Sequence, residues 1–393
     1  MGDFKSFSRI DFFLIGRAFF YILLFFSTIF AQPSSLPRNS PAIDLRLPLK
    51  LCLHKQIDKL QSNAIASDNL SSLFVAFQTG KVGRINLEKN SLTWTSDLGG
   101  EIVSDLFFGN DRVFLITRVL SSSLDRGVSE DKPASNYILW SIDAEIGVTV
   151  WQFPFSANGF ISLNDFQDKL FLTVDDGTII SIRKFDAQKI FYRQIGQALS
   201  SAPSFSENKI YIASADNSII SVSAETGEII SKIPTLQSPA TSIVNSGDKL
   251  YWGEKEGFVN LFKLSDKSRV WSVRQGGEIS SLTFVSNGIL VSSLDNFIYL
   301  ISPQKGKRIW KRRLASRILA KPSITGDFVV FVTAIDNKAV VLDLRDGKVV
   351  NQISLDDKGF VLSTPLIVNN LLVFPTSKGI FAFASEDFKC PYN

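Results

Sequence analysis

The sequence predicts an all-β protein: an eight-bladed β-propeller of four-stranded antiparallel blades, with its ring closed by an N-terminal strand. Three observations predict it. A short segment ending in an aromatic residue, or its replacement, recurs about every forty residues. A β-hairpin precedes each copy. Eight hairpins share only seven such outer segments, so the eighth must come from elsewhere in the chain.

The recurring position falls at Trp94, Trp151, Tyr192, Ser231, Trp271, Trp310 and Asn351, with spacings of 57, 41, 39, 40, 39 and 41. The first spacing marks an insertion, Leu120–Asn136. Gly147, Gly227, Gly306 and Gly347 each stand four residues before this position. A glycine there supplies the positive φ of a tight turn between strands. Upstream hairpins include Leu73–Thr79 with Val82–Leu87, Lys169–Val174 with Thr178–Arg183, and Ile289–Ser293 with Phe297–Ser302. Their turns carry Thr-Gly, Asp-Gly or Asp-Asn. The second hairpin, Arg112–Val119 with Tyr137–Asp143, contains the insertion. The eighth, Leu371–Thr376 with Gly379–Ala384, runs out before a closing strand. Asp44–His54 alternates apolar with other residues and is expected to complete that last blade. Closure of this kind removes exposed sheet edges.

The only two cysteines, Cys52 and Cys390, fall in the closing strand and just after the last hairpin. An oxidising compartment permits a bridge between them that locks the ring. The alternative is two free thiols.

Lys5, Arg9 and Arg17 precede an apolar run, Ala18–Phe30, and Ile29 and Ala31 stand at −3 and −1 of a cleavage site before Gln32-Pro33. This is the pattern of an export signal, too short for a membrane span. Residues 1–31 are therefore expected to be a signal peptide, 32–43 a Pro/Ser-rich linker, and 44–393 the propeller. The alternative is an uncleaved anchor. No small-residue lipobox cysteine follows Ala31, so the chain is expected to be exported, periplasmic or outer-membrane associated, without a lipid anchor. Forty-two basic against 38 acidic residues argue against a nucleic-acid partner.

The segments Asp-Ala-Glu-Ile-Gly-Val-Thr-Val-Trp (143–151) and Ser-Ala-Glu-Thr-Gly-Glu-Ile-Ile-Ser (223–231) resemble the Asp-Ala-x-Thr-Gly-x-x-x-Trp repeat of the quinoprotein-like (PQQ-type) propellers. Ile146 departs from the Thr of that repeat, and Ser223 and Ser231 from its Asp and Trp. The resemblance covers residues 44–385 and is closest in plan to the BamB-type outer-membrane assembly scaffold. It implies a non-catalytic, protein-binding scaffold of the cell envelope, with outer-membrane protein assembly as a process it fits. The expected partners are envelope or outer-membrane proteins, and the chain is expected to be a monomer within a complex. The other branches are a PQQ-dependent dehydrogenase-like enzyme and another ligand-binding periplasmic propeller. The dehydrogenases of the family are larger and often carry adjacent cysteines, which this chain lacks.

No catalytic, cofactor-binding or metal site is expected, and no cofactor or small-molecule substrate. The single histidine, His54, excludes His-cluster metal sites, and its closeness to Cys52 leaves a Cys-His nucleophile as a minor alternative to a strand-end residue. Asp175-Asp176 and Asp356-Asp357 read as turn residues. Two surface features could carry binding. One is the insertion at 120–136. The other is a basic run, Lys305, Lys307, Arg308, Lys311, Arg312, Arg313 and Arg317, from which Lys311, Arg312, Arg313 and Arg317 are the candidate partner-binding residues. The simpler reading of the run, and the favoured one, is a solvated outer strand whose charges protect a blade edge.

Overall fold

In the computed structural model, residues 43–119, 136–318, 321–333 and 337–390 are described. The expected signal, nearly all of the expected linker and positions 120–135 of the insertion lie outside them. The strands form eight antiparallel sheets. Seven are sequential four-strand blades; the second has its inner strand split into Glu101–Ile102 and Phe107–Gly109. The eighth is completed from the other end of the chain: Leu49–Gln56 pairs antiparallel with Gly379–Ser385. The strands alternate side chains between faces, and the apolar ones meet in eight buried clusters. Each cluster joins one blade to the next, from Val75 and Val373 at the closing junction to Phe331 and Leu300 between blades 6 and 7.

The turn before each outer strand explains the repeat. In the folded chain Gly347 has φ 69°, and a Cβ there would lie 2.6 Å from Trp310 Cε3 of the preceding blade. Gly147 meets Trp94, and Gly306 meets Trp271, in the same way. Glycine is needed twice over, for the left-handed backbone and for the ring stacked against it. Each Trp also donates its indole N–H to the next blade's turn: Trp94 to Ala144 O (3.1 Å), Trp151 to Lys184 O (2.9 Å), Trp271 to Pro303 O (3.3 Å) and Trp310 to Leu344 O (2.9 Å).

Two sequence expectations are corrected. In blade 3 the repeat's aromatic is Phe191, not Tyr192. Phe191 pairs with Ser181 and packs under Gly227, while Tyr192 is 57% exposed. A slip of one residue along a strand exchanges its faces. The closing strand is Leu49–Gln56 rather than Asp44–His54. Asp44–Pro48 instead reproduces a turn. Asp44 Oδ1 accepts from Arg46 N (3.0 Å) as Asp343 Oδ1 accepts from Arg345 N (2.8 Å), and Asn351 donates to Leu45 O and Leu47 O. The chain is thus cut inside a repeat, and the N-terminus supplies both the turn and the outer strand of the last blade. The Cys52–Cys390 disulfide ties that strand to the tail, with Cα atoms 5.2 Å apart across 338 positions.

The turn position of the glycines is left-handed in every sequential repeat, including Asn90 (φ 46°), Ala187 (φ 61°) and Lys267 (φ 48°). Ala187 carries a methyl group where Gly147, Gly227, Gly306 and Gly347 carry none. Ala187→Gly is expected to raise unfolding stability by about 1 kcal/mol, measured by denaturant titration.

Candidate protein-binding surfaces

The basic run lies on and around the outer strand of blade 6, Arg308–Arg313. Alternation along that strand divides the candidates. Trp310 points into the junction with blade 7. Arg312 lies on the same side and donates Nε–H to Gly347 O (2.6 Å). Arg193 does the same to Gly227 O (2.9 Å) in blade 3. Arg312 is therefore a fastener between blades. Lys311 lies over the Phe297 ring (4.9 Å), Arg308 over Tyr299 (5.2 Å), and Arg313 and Arg317 are exposed. The four candidates do not form one patch: Lys311 and Arg313 share a face, Arg312 faces the other way, and Arg317 follows the strand. Charge reversal of this surface belongs at Lys311 and Arg313, where it leaves the blade junction intact.

His54 is exposed and stacks on Phe381 at 4.2 Å, and the Cys52 sulfur is bonded to Cys390, so the two cannot act as a nucleophilic pair. Among the described residues no three His, Cys, Asp or Glu side chains gather to hold a metal ion. Asp175-Asp176 make a hairpin turn, in which Asp176 Oδ1 accepts from Thr178 N (2.8 Å). Asp356-Asp357 lie in a 3₁₀ turn between blades 7 and 8.

Three features escaped the sequence reading. A cavity of about 680 Å³ opens near the inner edge of blades 1–3, lined by Gln61, Ser104, Asp105, Tyr137 and Phe160, with the Glu101–Arg118 ion pair in its wall. Asp105 is reached by solvent, yet surrounding protein raises its carboxyl pKa, an effect Lys321 partly offsets. The base of the insertion adjoins this region. Val119 N bonds to Asn136 O (2.9 Å), and Asn136 Nδ2 to Ala157 O (2.9 Å). Second, Phe160 and Phe360, 87% and 75% exposed, stand in connections between blades. Third, a second cavity opens where blade 2 meets the turn of blade 3.

Glu254 is 3% exposed, and burial raises its pKa above the usual 4.5 while the Trp252 indole bond (3.1 Å) opposes this. The folded state therefore retains a proton that the unfolded chain releases. Stability falls as pH rises from about 4.5 through the folded-state value. Glu254→Gln is expected to melt higher than the parent at pH 7, with the gap closing at pH values below the unfolded-state pKa; thermal melts across pH measure it.

The geometry is that of a closed ring of eight blades. A family model described as "Outer membrane protein assembly factor BamB" matches residues 53–273 and 255–383. The chain belongs to this BamB family. A curated relative from Burkholderia pseudomallei, named outer membrane protein assembly factor BamB, is 25% identical over 172 residues, covering 42% of this chain. The match spans 45% of that relative's length. The crystal structure of BamB from Moraxella catarrhalis superposes with TM-score 0.65 at 16% identity, covering 87% of this chain and 99% of that one. The computationally designed Ika8 protein gives TM-score 0.65 at 15% identity, covering 84% and 100%. At these identities the two structures establish the propeller fold.

Proposed function

We propose that this BamB-family propeller is a non-catalytic scaffold of the cell envelope that holds outer-membrane or other envelope proteins during outer-membrane protein assembly. The observation that carries this reading is the family match across nearly the whole ring, residues 53–383. The closed ring supports it: eight packed junctions and a terminal disulfide make a rigid body whose connections and turns are free to vary. The exposed phenylalanines at its rims add apolar anchors of the kind that protein interfaces use. In this reading residues 1–31 direct export, 32–43 are a linker leading into the ring, and the ring works as a monomer in a complex.

The test is purification from solubilised envelope with native mass spectrometry, beside a dye-reduction assay with quinone, Ca²⁺ and alcohols. The scaffold reading expects a stoichiometric complex with an envelope protein and no dye reduction. A protein that stays alone and reduces dye would overturn it in favour of the dehydrogenase-like branch.

A further inference from the structure

In the aligned repeat turns the second residue is apolar and buried or half-buried, and the third is polar: Leu87-Glu88, Ala144-Glu145, Ala224-Glu225, Leu264-Ser265, Pro303-Gln304 and Leu344-Arg345. Blade 3 inverts the order. It places Lys184 inside, 7% exposed, and Phe185 outside, 74% exposed. Burying an ammonium group and exposing a phenyl ring both oppose stability. The structure compensates for the first by pairing Lys184 Nζ with Asp165 and with Gln167 O (2.6 Å). The exposed ring is met by the Arg112 guanidinium of blade 2 and otherwise faces solvent.

The same turn position also lacks the ion pair made at the next junction. At the next junction Lys169, which begins the second strand of blade 3, reaches across to Glu225 in the turn of blade 4 (2.9 Å). Arg112 begins the second strand of blade 2 and reaches across in the same way, but it meets Phe185 in place of a glutamate. Its guanidinium lies 5.6 Å from the ring centroid, and Nη1 donates to Lys184 O (3.1 Å) and Phe185 O (2.9 Å). Among the described residues no carboxylate pairs with Arg112. Arg183 and Lys184 beside it have their own partners, Asp186 and Asp165. Arg112 and Phe185 frame a cavity of about 470 Å³, floored in part by Phe114.

The geometry points to a docking site at the blade 2–blade 3 rim for a protein segment that carries an acidic side chain beside a bulky apolar one. The incoming carboxylate replaces the missing glutamate at Arg112, and the apolar side chain covers the Phe185 ring. A ring already held from the neighbouring blade loses little freedom on binding, and a guanidinium without a carboxylate gains a charge-assisted bond. This site rests on the scaffold reading above and names the chemistry of one partner segment.

The test uses the full-length exported protein and the capped peptide acetyl-Gly-Ser-Asp-Phe-Ser-Gly-amide. Binding is read from the indole N–H resonance of Trp151, whose acceptor Lys184 O lines the site. The expected result is saturable binding, weakened about tenfold when Asn replaces the peptide Asp, and weakened similarly in Phe185→Ser. Phe185→Glu is the most informative variant: it recreates at this junction the ion pair that Lys169 and Glu225 make at the next, so it is expected to raise the melting midpoint and abolish binding. Arg112→Gln is expected to lose binding too; because Arg112 bridges two blades, the exposed Phe185 variants decide if that variant does not fold. No saturation by 5 mM, equal binding of a peptide with Lys for Asp, or unchanged binding in Phe185→Ser would overturn the site. Envelope co-purification that persists while the peptide fails sinks this site and leaves the scaffold reading standing.

Discussion

Trp310→Ala is expected to destabilise the propeller by about 3–5 kcal/mol, the usual range for truncating a buried aromatic. Trp310 is 9% exposed, packs into the junction between blades 6 and 7, and lies against Gly347. Its loss opens a cavity between blades and leaves Leu344 O without its indole donor. Trp310→Phe separates the two effects. It keeps most of the ring and gives up the N–H bond, for a loss of about 1 kcal/mol. Phe191 already serves that role in blade 3. Equilibrium denaturation of the three proteins measures both steps. A Trp310→Ala loss no larger than that of Trp310→Phe would show that ring packing is not what joins the blades.

The second large effect is expected at the disulfide. Cys52→Ser with Cys390→Ser, or reduction of the parent, is expected to lower stability by about 3 kcal/mol, since removing a native cross-link releases the unfolded chain. For so long a loop the chain-entropy model sets an upper limit of roughly 5 kcal/mol. The smaller figure applies because the closing strand is held independently. Asn351 binds Leu45 O and Leu47 O, Glu386 N binds Pro48 O (3.1 Å), and Leu53 is buried in the closing junction. The ring is therefore expected to stay folded when reduced but to melt earlier. Thermal melts with and without reductant measure this, and identical midpoints would remove the disulfide from the account of closure.

The fold was legible because the repeat is written in residues that the junction itself demands. Glycine under a ring and tryptophan against the next turn recur at one spacing, and the missing eighth outer strand pointed to the N-terminus. What escaped detection has physical reasons. Adjacent Phe191 and Tyr192 fit the pattern equally well on paper, and only pairing with Ser181 decides between them. Counting from Tyr192 also shifted the blade 3 segment by one residue. Phe185 then occupied the apolar place, which hid the Lys184–Phe185 inversion. Asp44-Leu45-Arg46 could have been matched to Asp343-Leu344-Arg345, but strand alternation drew the same residues into a longer strand. The basic run was visible as charge. Which of its members turn inward depends on strand phase, so Arg312 read as a surface cation although it fastens two blades.

The proposed role of the ring is to hold another envelope protein. Photocrosslinking in intact cells tests it most directly, with benzoylphenylalanine placed in turn at Phe160, Phe185 and Phe360, which are exposed and lie in connections or turns. The account predicts a discrete adduct of one partner mass from at least one of these positions, strongest at Phe185. Cells that express the folded ring yet give no adduct at any of the three would contradict it.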